Sequence, residues 1–186
     1  VYYQPIVDAK TGQIIGAEAL LRMVEGDTVI LPDAFIPLAE YLGFIIPIGN
    51  FVLDEAAAFC KTIRDLGTEA FSVTVNVAAK QMNHKDFTAD LSKVLKKHEL
   101  PPDSLTVSFS ERVAIEDPEQ VVHIGKLLGE MGIHVELDDF GGGRSSFIRI
   151  QDVPVSGIKT SNIFMEGFDE SYSKAYLDLI IDLGHT

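Results

Sequence analysis

Short segments of strict two-residue alternation, separated by segments of helical period, constrain this chain more than any other feature. In 71–77, Phe71, Val73, Val75 and Val77 share one face of an extended strand and leave Ser72, Thr74 and Asn76 on the other. In 105–111, Leu105, Val107 and Phe109 oppose Thr106, Ser108 and Ser110. In 134–140, Val135 and Leu137 oppose Glu136 and Asp138, and in 14–21 Ile15, Ala17 and Ala19 oppose Gly16, Glu18 and Leu20, with Arg22 in phase just beyond. An open sheet covered by helices on both faces prefers apolar residues throughout. A closed barrel suits the pattern better: apolar residues pack outward against helices, and polar ones line the interior towards the C-terminal mouth.

The elements in between support α/β architecture with a largely parallel sheet. Strands are expected at Tyr2–Val7, Ile14–Leu21, Phe71–Val77, Leu105–Glu111, His134–Phe140 and Val155–Thr160. Helices are expected at Pro32–Leu42, Phe51–Leu66, Phe87–His98, Glu119–Met131 and Tyr172–Leu183, with Phe51, Glu55, Phe59, Ile63 and Leu66 setting the core stripe of the second. Asp8, Lys10, Thr11, Gly12 and Gln13 read as a tight turn, which makes the first two strands an antiparallel hairpin. No internal repeat, low-complexity stretch or Pro/Gly-rich linker interrupts the chain, so residues 1–186 read as one domain. The start at Val1, already in strand-like sequence, suggests excision from something longer.

Composition removes several classes of function. The 46% apolar content supplies a core that a disordered acidic chain lacks. With 28 Asp+Glu against 15 Lys+Arg, the net charge of −13 argues against binding DNA by neutralising phosphates. A phosphate-bearing ligand would need positive charge from elsewhere, and a divalent metal is the obvious source. No apolar run is long enough to span a membrane. The single Cys60 fits a reducing compartment, or simply a small buried residue.

Glu18, Asn76, Ser108 and Asp138 fall near the C-terminal ends of their strands on one inferred face. With Asp139, the set of Glu18, Asn76 and Asp138 is oxygen-only, the ligand type that suits Mg²⁺ or Mn²⁺. The five histidines are scattered, and His134 lies at the wrong end of its strand. A solvated turn residue is the ordinary reading of one strand-end acid. It explains less well the adjacent Asp138–Asp139 followed by Phe140 and three glycines, which permit close backbone approach by a ligand.

At this point the sequence resembles a known family. Tyr3-Gln4-Pro5-Ile6-Val7, Glu18-Ala19-Leu20-Leu21-Arg22, Val75-Asn76-Val77 and Asp138-Asp139-Phe140-Gly141 match the EAL domain in order and spacing. Further matches are Phe35-Ile36-Pro37-Leu38-Ala39-Glu40, the Gly143-to-Ser146 stretch, and Lys159 after Val153-Pro154-Val155. The family comprises bacterial cyclic-di-GMP phosphodiesterases and their inactive relatives. The resemblance implies a modified (β/α)₈ TIM-type barrel with an antiparallel first strand, and hydrolysis of cyclic di-GMP to the linear dinucleotide pGpG. It implies Glu18, Asn76 and Asp138 as metal ligands, with Asp139 supporting a second metal and Lys159 orienting water or phosphate. It assigns Arg22 to a phosphate, Gln4 and Leu20 to ligand contact, and Glu111 to anchoring the loop after Asp139. In such a site two cations clamp the attacking and leaving oxygens.

The chain departs from the pattern of active members at two metal-site positions. Ser108 stands where the first Glu of a Glu-x-x-Glu pair is a direct metal ligand, and Ser161 stands where an Asp follows the lysine by two residues. Gly142 and Arg144 replace the usual Thr and Tyr of the loop after the Asp pair. In the family a strand with a further catalytic Glu comes after the position of Thr186, so more residues are expected at both ends, with other signalling domains attached. The resulting expectation is a degenerate domain that serves as a cyclic-di-GMP receptor or transmits a signal. An active phosphodiesterase with Glu136 or water in place of the missing ligand stays open. So does a protein-interaction module without nucleotide binding. The expected setting is cytoplasmic, free or tethered to a membrane protein through other segments, with a homodimer or a partner protein as further contacts.

Overall fold

The computed structural model describes residues 1–141 and 154–162, together with 174, 178 and 180–182. Gly142, Gly143, Arg144, Ser146 and Val153 lie outside the described residues, as does most of the expected 172–183 helix. Six strands form one curled sheet in the order β1-β2-β5-β6-β7-β8. They are β1 (Tyr2–Val7), β2 (Ile14–Leu20), β5 (Ser72–Asn76), β6 (Leu105–Ser110), β7 (His134–Phe140) and β8 (Gly157–Thr160). The first pair is antiparallel and every later pair is parallel. A small separate hairpin, β3 (Met23–Glu25) and β4 (Thr28–Ile30), follows β2.

The β1–β2 turn forms as its residues dictate. Asp8 Oδ1 accepts the amides of Lys10 (3.0 Å) and Thr11 (2.7 Å), and Gly12 takes the positive φ of 72° that closes the turn. The parallel strands are joined by helices α1 (Pro32–Leu42), α2 (Ile45–Asp65), α3 (Ala79–Met82), α4 (Phe87–Lys97), α5 (Glu111–Glu116) and α6 (Pro118–Glu130). A 3-10 turn at Pro102–Ser104 leads into β6. The expected alternation holds: Val73, Val75, Leu105, Val107, Phe109 and Val135 are buried in one core with the inner faces of α2, α4 and α6.

The core face of α2 differs from the expected stripe. Phe51 is 52% and Leu66 79% exposed, whereas Val52, Leu53, Ala56, Ala57 and Cys60 are buried. Small side chains let the helix approach β5 closely, so shape complementarity wins over the spacing of the largest apolar residues. Phe59 meets the sheet at its edge, stacked on Tyr3 with ring centroids 3.8 Å apart. Burial pushes the Cys60 thiol up to about 11, which makes it an inert core residue. The short elements β3, β4, α3 and α5 have no separate periodic signal and were not expected. Glu111 opens α5 instead of ending β6, because the chain turns helical directly after Ser110.

Candidate functional site

Sheet register places the polar face. Asn76, Ser108, Glu136 and Gly157 form one row across β5, β6, β7 and β8, and Asp138 lies one pleat further on, opposite Ser110. Gln4 pairs with Glu18 across the antiparallel hairpin. Side chains two residues apart on a strand share a face, so Glu136 and Asp138 point the same way.

The centre of this face is an ion-pair network. Lys159 Nζ donates to Glu18 Oε2 at 2.7 Å and to Asp138 Oδ2 at 3.2 Å, while Asn76 Nδ2 donates to Glu18 Oε1 at 2.7 Å. Burial alone would lower the Lys159 pKa; the hydrogen bond to Glu18 and the charges of Asp138 and Glu18 overcome it and hold it above its usual value. Glu136 is half-buried beside this network, and Thr74 Oγ1 donates to its Oε2 at 3.4 Å. Burial pushes its carboxyl above the usual range, against the opposing pull of Lys159 and Thr74.

A raised carboxyl pKa means that the folded chain binds more protons than the unfolded one between the two values. Glu136 therefore costs stability progressively as pH rises above about 4.5. Glu136→Gln keeps an acceptor for Thr74 and removes the charge. The variant is expected to melt higher than the parent at about pH 7 and at the same temperature at about pH 4, as read by thermal denaturation across pH.

The remaining candidates surround the network without all joining it. Asp139 is exposed with φ of 57°, at a bulge where the β7–β8 register shifts, and its amide donates to Asp138 Oδ1 at 2.8 Å. Glu111 is buried, and its Oε2 accepts the Gly141 amide at 3.1 Å, tying the start of α5 to the end of β7. Ser161 is buried, and its amide donates to Phe140 O at 3.1 Å. Arg22 lies beyond the end of β2; its Nη1 donates to Leu21 O at 2.7 Å and its guanidinium stands 6.0 Å from the Tyr2 ring centroid. Among the described residues Arg22 makes no ion pair with Glu18 or another acid. Gln4 is exposed on β1.

A cleft of about 520 Å³ opens beside the network, lined by Leu20, Asn76, Ser108 and Asp138 from the strands. Lys80, Gln81 and Arg112 also line it, and sequence reasoning did not single them out. Their signal was positional: Lys80 and Gln81 lie in α3 a few residues past the end of β5, and Arg112 lies two past the end of β6, at the edge where parallel barrels carry their sites.

The donor set can be tested against a divalent cation. Glu18, Asp138 and Asn76 are of the right type for a hard ion. Ser108 Oγ is buried with no hydrogen-bond partner in the row between Asn76 and Glu136, so an uncharged orphan stands where the row is densest. The single ammonium of Lys159 pairs with both carboxylates and offsets one of their two negative charges. Among the described residues no three acidic, His or Cys groups are arranged to hold a metal. Among the described residues, Glu18, Asn76 and Asp138 alone offer too few anionic donors for a two-cation centre.

A curled, mainly parallel sheet with an acidic cluster at the C-terminal edge of its strands defines a TIM-like barrel protein. The sequence matches the EAL domain family over residues 1–186, and the chain belongs to that family. It is 35% identical over 188 residues to the bifunctional diguanylate cyclase/cyclic di-GMP phosphodiesterase MucR of Pseudomonas aeruginosa, covering 100% of this chain and 27% of MucR. It is 33% identical to the signaling protein YkoW of Bacillus subtilis, covering 100% of this chain and 23% of that protein. The solved PaMucR phosphodiesterase, in complex with c-di-GMP, superposes with a TM-score of 0.90 at 34% identity, over 98% of this chain and 75% of that one. The chain thus spans about a quarter of the length of these two relatives. Among the described residues no helix is long and apolar enough to cross a membrane.

Proposed function

We propose that this chain is a cyclic-di-GMP receptor: an EAL domain of a bacterial signalling protein that holds the nucleotide without hydrolysing it efficiently. One observation carries the reading. Lys159 bridges Glu18 and Asp138 and offsets part of their charge, while Ser108, on the same face, is buried, uncharged and unpartnered. Catalysis in the family rests on divalent metal, and this donor set lacks the carboxylates expected at 108 and 161. Glu136 is a poor substitute, because its carboxyl is engaged by Thr74 and pushed towards the protonated form.

The retained positions support binding. Arg22 supplies a guanidinium for one phosphate, and Gln4 and Leu20 supply contacts at the rim. Glu111 holds the Gly141 backbone and with it the turn after Asp139, which keeps the acidic edge in place. Lys159 contributes a fixed positive charge at the acidic face. Similarity to a relative solved with c-di-GMP adds to the same reading.

Calorimetric titration of the full-length protein with cyclic di-GMP, with Mg²⁺ and with chelator, tests it when the same sample is assayed for linear product. Binding is expected to persist in chelator and to leave the nucleotide intact. Metal-dependent conversion to pGpG would reject the receptor reading in favour of a phosphodiesterase, and no heat with no product would favour an interaction module.

A further inference from the structure

A second pocket, of about 240 Å³, lies on the outer, helical layer between the start of α4 and the middle of α6. Its polar lining consists of Asn83, His84, Lys85, Thr88, Gln120 and His123. No carboxylate lines it, in a chain where acids outnumber Lys+Arg by 28 to 15. That reversal of sign is local and specific. Asp86 and Glu119, adjacent in sequence to lining residues, are exposed and outside the pocket wall.

The donors there are uncommitted. Among the described residues Lys85 and His123 form no ion pair or side-chain hydrogen bond. His84 Nδ1 is buried with no partner, although buried polar atoms are nearly always satisfied. The N-cap of α4, Asp86, makes no side-chain cap, so its carboxylate does not occupy the helix start that borders the pocket. The floor is apolar, formed by Met82, Phe87 and Ile124, all buried. The ammonium of Lys85, the exposed imidazole of His123, two amides and a hydroxyl around one concavity offer hydrogen-bond donors without a competing anion, which is the chemistry that recognises a phosphoryl group.

We infer that this pocket is a binding site for a phosphoryl group, separate from the cleft beside Lys159. Bound there, the ligand would bridge the 82–88 segment to α6. The site does not depend on whether the Lys159 cleft binds a nucleotide.

The test is an amide NMR titration of the protein with inorganic phosphate and, separately, with ribose 5-phosphate at constant ionic strength. Saturable shifts confined to residues 82–88 and 120–127 are expected. Lys85→Gln together with His123→Gln should weaken binding by about tenfold or more while leaving the rest of the spectrum unchanged. Tighter binding of the sugar phosphate would assign an organic phosphate as the ligand, and equal binding the free ion; both support the site. Shifts that fail to saturate, map to the Lys159 cleft, or survive the double substitution would overturn it.

Discussion

If the domain is the receptor proposed above, Ser108→Glu combined with Ser161→Asp in the full-length protein is expected to give it metal-dependent phosphodiesterase turnover that the parent lacks. Ser108 lines the cleft, so a longer side chain has room to extend from β6 towards Asp138 and Asn76 despite the burial of the serine itself. The new carboxylate raises the negative charge of a site whose counter-charge among the described residues of the network is Lys159. That excess makes a divalent cation more favourable there than it is with the present residues. Losing an outer-shell partner of a metal commonly costs about 10–100-fold in affinity or activity, so restoring a direct ligand should gain at least about 100-fold in turnover. The measurement is production of pGpG with and without Mg²⁺. A second readout guards against misfolding: the melting temperature of the double variant should rise with added Mg²⁺, while that of the parent should not. A parent that already turns over as fast as the double variant would sink the receptor reading.

Lys159→Met is expected to destabilise the protein by about 2 kcal/mol at neutral pH. Removing one partner of a buried ion pair costs roughly 3–5 kcal/mol, and the partial exposure of Lys159 and Asp138 reduces that here. The sign follows from the raised Lys159 pKa. A lysine whose folded-state pKa is raised adds stability that is fully present below about 10.5 and is lost as pH rises through the folded value. At pH 7 the variant therefore forgoes all of it and leaves Glu18, Asp138 and Glu136 facing one another. Protonating the carboxylates removes their repulsion, so the deficit should shrink towards pH 3. Urea denaturation of parent and variant at several pH values measures both effects. An equal deficit at all pH values would mean that Lys159 acts through packing and not through charge.

The resemblance read from four short motifs and three further matches is matched by the family over the whole chain, and the antiparallel first pair and the parallel sheet stand where the turn residues and the alternating elements placed them. These features were legible because they are local. A period of two or of 3.6, an Asp-x-x-Thr-Gly turn, or an Asp pair before glycines is written in neighbouring residues. The α2 stripe holds only in part, with Phe59 and Ile63 packed against the core and Phe51 and Leu66 exposed, for a related reason. Periodicity ranks side chains by hydrophobicity, while the helix chose the face whose small residues, Ala56, Ala57 and Cys60, fit against the sheet.

The sequence by itself determined the residue types at the acidic face, including the serines at 108 and 161 in place of acids. Only the tertiary structure decided how the remaining charge is balanced. Lys159 and Glu18 are 141 residues apart, and no local pattern says that the ammonium will sit between Glu18 and Asp138. Nor does any local pattern gather Lys85, His84 and His123 around one concavity from two elements. Charge pairing acts through space and is set by strand register and helix packing. The chemistry available at each position was therefore readable in one dimension, and which groups neutralise one another was settled in three.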